Sequence, residues 1–67
     1  MNNIIIGYEK DQTVKSAVLV GMGASENDLG NDVLDMLKSG LTVNIVDAGK
    51  IIVGEKIDWS EVKITRL

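Results

Sequence analysis

The sequence predicts a small α+β domain in which a mostly antiparallel sheet carries one helix on one of its faces. Several short segments are rich in β-branched and aliphatic residues, as strands are. One longer segment has apolar residues at helical spacing, and two of the connections have the length of a hairpin loop. The predicted order is β-β-α-β-β-β, and the 67 residues are expected to form a single binding or oligomerisation domain.

The first two strands are predicted at the N-terminus. Residues 2–8 contain three consecutive Ile residues, a run typical of a strand. Residues 13–21 begin by alternating and end in the continuous apolar run Ala17 to Val20, which predicts burial on both faces at that end. The polar residues 9–12 between them have the length of a hairpin connection.

The helix is predicted over residues 26–39. Ser25 fits the N-cap position, and Asp28 three residues later completes a variant of the capping box. Gly40 fits the left-handed position after the last turn. An apolar stripe recurs at i, i+4, i+7 and i+8, and one further leucine widens it: Leu29, Val33, Met36 and Leu37, with Leu34.

The C-terminal half is predicted as three more strands. Residues 41–46 alternate and should have one buried face, and residues 47–49 should form a three-residue hairpin loop with its glycine in the left-handed bulge position. Residues 50–57 are expected to return as the paired strand. Residues 58–61 predict a single helical turn capped by Asp58, and residues 62–67 a final edge strand with charges on its open face.

The composition argues against catalysis and against metal or disulfide cross-links. The chain has no His, no Cys and one Tyr, so nucleophiles lack their usual base and a structural zinc site lacks its preferred ligands. No pattern brings two of the ten carboxylates together in a cleft. We therefore expect a protein that is not an enzyme and binds no metal or cofactor.

Net charge and apolar content favour some classes of partner and argue against others. A net charge of −3 argues against direct binding to nucleic acid or to an anionic membrane. The apolar content of 45% exceeds what so short a chain can bury alone, which predicts a homo-oligomer formed through the sheet face opposite the helix or through an exposed edge strand. The N-terminus lacks the basic region and apolar run of a signal peptide, which predicts a cytoplasmic protein.

One candidate ligand site is the glycine-rich turn between the second strand and the helix. Such a turn presents backbone N–H groups and the positive end of the helix dipole to a phosphate. However, Glu26 stands where a dinucleotide fingerprint requires glycine, and no P-loop lysine follows. This pattern more often forms a tight turn before a capped helix, without binding a ligand. The candidate residues are Gly21, Met22, Gly23, Ala24 and Ser25.

The candidate interface residues also have simpler explanations. Asp28, Asp32 and Asp35 share one side of the helix and could meet a basic protein surface, although a solvated helix face is the commoner role for such residues. Trp59, in a polar turn, is either a core plug or an interface anchor, and the same choice applies to Tyr8.

Three functional classes remain open on these grounds. The first is a non-enzymatic oligomeric binding protein that inhibits or regulates another macromolecule, since small acidic proteins are common among the inhibitors of phages and mobile elements. The second is a binder of a small, phosphate-containing ligand such as a nucleotide, which would use the turn at 21–25 at a subunit boundary. The third is a structural subunit of a larger assembly.

Overall fold

The computed structural model describes residues 2–21 and 26–65 and has the predicted α+β architecture. Four strands form one antiparallel sheet, and a single helix packs on it. Five regular elements take the place of the predicted six. They are β1 (Asn2–Tyr8), β2 (Val14–Val20), α1 (Glu26–Lys38), β3 (Thr42–Ala48) and β4 (Val62–Ile64).

The strand order in the sheet is β2-β1-β3-β4, so that β1 and β3 are central and β2 and β4 form the edges. Ile5 of β1 is aligned with Val18 on one side and with Ile45 on the other. The prediction that the last strand lies at an edge is confirmed, although β4 covers only residues 62–64 of the predicted 62–67. Residues 66 and 67 lie outside the described residues.

The predicted hairpin connection between β1 and β2 is confirmed. The Gln12 N–H donates to the Glu9 carbonyl at 2.9 Å, and the Glu9 N–H donates to the Thr13 carbonyl at 3.0 Å. Gln12 has a φ of 76°, the left-handed conformation that closes a type I turn with a bulge. The Thr13 N–H donates to Asp11 Oδ1, and this hydrogen bond, with a second from the Thr13 side chain, lowers the pKa of Asp11.

The predicted strand at residues 50–57 and the hairpin loop at 47–49 are wrong. Strand β3 continues through Ala48, and the chain then crosses the sheet as an irregular segment, residues 49–61, which we call the strap. The strap bonds to the β1–β2 hairpin and not to β3, since the Ile57 N–H donates to the Gln12 carbonyl at 2.9 Å. Its end is the turn predicted at 58–61, where Asp58 Oδ1 accepts from the Ser60 N–H at 3.1 Å.

The core lies on both faces of the sheet, because successive strand residues point to opposite sides. Ile5 and Met36 are buried on the helix face. The face beneath the strap holds the larger cluster, so the expectation that this face is free for another chain is wrong for its centre. The buried cluster and the partly buried residues packed on it are Ile4, Ile6, Tyr8, Val46, Ala48 and Val62, with Ala17, Ile51 and Ile57.

The apolar stripe of the helix is only partly buried. Met36 is 4% exposed, whereas Leu34 and Leu37 are 48% and 55% exposed. At about 100° per residue, Leu37 is turned about 100° and Leu34 about 160° away from Met36, which lies against the sheet. Val33 is half-buried, and the side chain of Leu29 lies outside the described residues. The helix therefore presents two leucines to its surroundings.

The predicted left-handed glycine at the end of α1 is confirmed. Gly40 has a φ of 79°, and its N–H donates to the Leu37 carbonyl at 3.0 Å. The Leu41 N–H donates to the Met36 carbonyl at 3.1 Å, which completes a Schellman motif. This cap sets the direction in which the chain enters β3.

Replacing Gly40 with alanine is expected to lower the free energy of unfolding by about 1–2 kcal/mol, because a Cβ strains the left-handed conformation. The matched change Gly30→Ala lies inside the helix, where an added Cβ meets nothing within 4 Å. That change is expected to stabilise the protein by about 0.5–1 kcal/mol. Urea unfolding of both variants measures the two values, and equal effects would contradict the assignment of the cap.

Candidate functional site

The strap encloses one side of a cleft of about 400 Å³. The cleft is open to solvent, and its lining combines aliphatic side chains with charged residues of both signs: Val14, Ile51, Ile52, Ile57 and Val62, with Lys50, Glu55, Lys56, Asp58 and Glu61. Because the charges have opposite signs, they do not create a strong preference for anions or cations. The cleft is suited to an apolar group better than to a phosphate.

Trp59 fastens the strap to the sheet. Its Nε1–H donates to Gln12 Oε1 at 2.8 Å, and its ring meets that of Tyr8 edge-on at 5.8 Å between centroids and 73° between planes. The Tyr8 hydroxyl accepts a hydrogen bond of 2.6 Å from Asn44 Nδ2. Tyr8 is 8% exposed and Trp59 38% exposed, so Trp59 is a lid on Tyr8 and retains an outer surface that a partner could contact.

The two described aspartates of the predicted acidic stripe line a polar groove of about 450 Å³ between α1 and the β1–β2 hairpin. Asp32 is half-buried, Asp35 is exposed, and Glu9 and Lys15 lie across the groove. Lys15 Nζ is 3.9 Å from Glu9 Oε1, an exposed pair that contributes little stability. The side chain of Asp28 lies outside the described residues. Within the described ranges, no three side chains of the metal-ligating types converge.

The glycine-rich turn is described only at its first residue. Gly21 follows the end of β2 and is exposed. Met22, Gly23, Ala24 and Ser25 lie outside the described residues, as does the predicted cap of the helix. The phosphate site at this turn stays a prediction.

Seven large apolar side chains of the described residues are exposed. Leu34 and Leu37 lie one turn apart on α1, and Ile52 and Val53 are consecutive in the strap. The composition indicated a surplus of aliphatics, but sequence reasoning did not locate it on the helix or in the strap. No local signal could have located those in the strap, because the run 51–53 has the same three-aliphatic pattern as the strand residues 4–6. The exposed large side chains are Leu19, Leu34, Leu37, Ile52, Val53, Trp59 and Ile64, at 38–61% exposure.

Comparison with known proteins adds no relative from which a role could be transferred. The chain matches no family model, and no curated protein or solved structure is significantly similar to it. Within residues 2–21 and 26–65, no helix is both long and apolar enough to cross a membrane.

Proposed function

We propose that this protein is a non-enzymatic, oligomeric binding protein of the cytoplasm that inhibits or regulates another macromolecule. The observation that carries the proposal is the apolar surface of α1 formed by Leu34 and Leu37, which are 48% and 55% exposed. Leucines three residues apart share one side of a helix and can enter a groove together. Exposed apolar groups clustered in this way mark contact sites.

The packing of α1 supports this role, because it holds the leucine pair in a fixed direction. Met36, on another side of the helix, is buried against the sheet, and the C-terminal cap fixes the last turn. A contact surface that is already ordered loses little conformational entropy on binding. The helix can therefore present Leu34 and Leu37 without rearrangement.

The charge of the chain indicates the chemistry of the partner. The net charge is −3, and Asp32 and Asp35 lie on the same helix as the leucines. An apolar groove with a basic rim would complement both features, since opposite charges around an apolar contact speed association and select the orientation. We therefore expect a protein partner with such a groove.

The test replaces both leucines with glutamine, Leu34→Gln with Leu37→Gln, in affinity capture from the source cells. The protein captured by the unaltered chain is then purified and its affinity measured by calorimetry. We expect the double variant to bind it about 10–100-fold more weakly, the range for losing an apolar anchor pair, and to lose any inhibition of the partner's activity.

The matched control is the double variant Ile52→Gln with Val53→Gln, which alters two exposed aliphatics of the strap. It should bind the partner with the affinity of the unaltered chain. Both double variants should have the same circular dichroism spectrum as the unaltered chain. A partner whose affinity is unchanged by the helix variant and lost in the strap variant would overturn the choice of surface. Failure of every captured protein to bind after purification would overturn the proposed function.

The strap cleft favours a small-ligand function as the second candidate. Its volume of about 400 Å³ lies within the usual range of small-molecule sites. Its aliphatic lining suits an apolar ligand and not the phosphate predicted for the turn at 21–25. A thermal-shift panel distinguishes the two: nucleotides should raise Tm if the turn binds, and apolar compounds if the cleft does. Absence of a shift with either class would contradict this candidate.

A further inference from the structure

The outer edge of β2 is open over most of its length. Only its first residue is covered, because the Val14 N–H donates to the Glu55 carbonyl at 2.9 Å and the Gly54 N–H donates to the Val14 carbonyl at 2.8 Å. Beyond this point, within the residues that the structure describes, no backbone group pairs with the outer edge of residues 15–21. An open edge is a template for another strand.

The opposite edge of the sheet is protected in ways that β2 is not. Strand β4 has three residues, with Lys63 at its centre, and short strands and lysines are common means of blocking edge pairing. Residues 16–20 of β2 contain no charge, and the chain has no proline at all. The bulge in the pairing of β1 with β2 lies near the beginning of β2, before this stretch. The sheet therefore has one edge suited to pairing.

The direction of the backbone groups in β2 follows from the register of the sheet. The Thr65 N–H donates to the Ile45 carbonyl at 2.7 Å, so the backbone groups of Ile45 point towards β4. Across an antiparallel sheet, hydrogen-bonded and non-hydrogen-bonded pairs alternate. Ile5, aligned with Ile45, must then direct its groups the other way, to Val18 of β2. The N–H and C=O groups of Val18 are thus used inside the sheet.

The residues on either side of Val18 consequently direct their backbone groups outwards. Ala17 and Leu19 each present one N–H and one C=O at the open edge. These four groups have the spacing of one strand repeat, and they are centred on Val18. A strand with the same sequence, running antiparallel, satisfies all of them.

We propose that the partner at this edge is a second copy of the chain, paired antiparallel through β2 about a two-fold axis at Val18. The inference rests on the oligomer of the proposed function and supplies its geometry. Ala17 of each copy lies opposite Leu19 of the other and exchanges two backbone hydrogen bonds with it. The dimer has two such residue pairs and therefore four of these hydrogen bonds. The two four-stranded sheets become one sheet of eight strands.

The side chains fit this pairing. Leu19 is 61% exposed on the strap face. In the dimer the small side chain of Ala17 of the other copy lies opposite it, so that Leu19 can pack over this side chain. Cross-strand pairs of this kind are the unit from which sheets gain stability. The open stretch 15–21 is centred on Val18, so a symmetric pairing uses its whole length and stops where the strap covers Val14 of each copy.

A cysteine at position 18 tests the geometry directly, because the chain has no cysteine of its own. In the proposed dimer, Val18 of one copy lies opposite Val18 of the other as a non-hydrogen-bonded pair. The two Cα atoms are then about 4.5 Å apart, a distance that a disulfide can span. Val18→Cys should give a covalent dimer in mild oxidant at micromolar concentration. Ile64→Cys, more exposed but at the other edge, should stay several-fold less cross-linked. Equal cross-linking of both variants would overturn the pairing.

A second pair of variants tests the energetics by sedimentation equilibrium. Leu19→Lys introduces a charge at the open edge and should raise the dimer Kd by roughly tenfold or more, as for a central interface residue. Ile64 lies in register with Leu19 across the four strands but at the opposite edge of the sheet. Ile64→Lys therefore introduces the same charge away from the proposed interface, and it should leave the dimer Kd unchanged. A dimer that survives Leu19→Lys overturns the β2 interface but leaves oligomerisation intact. A monomer in the unaltered chain overturns both.

Discussion

Replacing Ile6 with alanine is expected to lower the free energy of unfolding by about 2–5 kcal/mol, the largest effect that we predict. Ile6 is fully buried in the cluster between the sheet and the strap. Alanine leaves a cavity there, and the central strand β1 is held on both sides and cannot move to fill it. A core this small seldom supplies more than about 3–5 kcal/mol, so the variant should lose most of its stability.

Urea unfolding followed by the fluorescence of Trp59, the single tryptophan, measures this effect, because Trp59 covers the same cluster. The control is Ile64→Ala, which removes the same atoms from a side chain that points to the same face but is 54% exposed. We expect it to cost less than half as much, in proportion to the area it buries. If both variants lost the same stability, the strap would not form a core with the sheet.

The parts of the fold that the sequence predicted are those with a strong local signal. The helix was located to within one residue at its C-terminal end, because a glycine stop follows an apolar period. The first strand was predicted with its observed bounds, since a run of β-branched residues has few alternatives. The hairpin connection at 9–12 could be predicted because its polar residues separate two such runs.

The strap could not be predicted because its conformation is set by distant contacts. Ile51 and Ile57 are partly buried against the core cluster of the sheet, and isoleucine is a residue type that is enriched in strands. The backbone of the strap nevertheless bonds to the β1–β2 hairpin, as in the bond from the Ile57 N–H to the carbonyl of Gln12, 45 residues earlier in the chain. Tertiary hydrogen bonds therefore override the local preference.

The exposure of some aliphatic side chains was predicted, but their positions were not. Composition indicated more aliphatic groups than one small core can hold, and the apolar stripe of the helix is a pattern typical of a face turned to the core. The sheet contacts only a narrow side of α1, so Met36 is covered while Leu34 and Leu37 are not. Likewise Ala17 to Val20 were expected to be buried on both faces, whereas β2 lies at an edge and leaves Leu19 exposed. Strand order decides the exposure of Leu19, and the packing of the helix on the sheet decides that of Leu34 and Leu37; no local pattern reveals either.

Replacing Gly7 with valine is expected to lower the free energy of unfolding by about 1–3 kcal/mol, the cost of overpacking a core. Gly7 lies in the central strand β1, where the helix end approaches the sheet. A Cβ at this position would lie 3.0 Å from Leu41 Cδ1 and 3.0 Å from Met36 Sδ, too close for either side chain to stay where it is. Strand propensity alone predicts the opposite sign, a gain of up to about 1 kcal/mol. Urea unfolding therefore decides between propensity and packing.

A double-mutant cycle identifies the cause of that loss. If valine at position 7 displaces Met36, then its cost should be smaller in a Met36→Ala background, with a coupling of about 0.5–3 kcal/mol between the two sites. Met36→Ala alone should also destabilise the protein, because Met36 is 4% exposed. Additive losses would show that the helix does not rest on β1 at this point. Coupled losses would mean that the glycine is what lets the helix lie close to the sheet, so that it can hold Leu34 and Leu37 in a fixed direction.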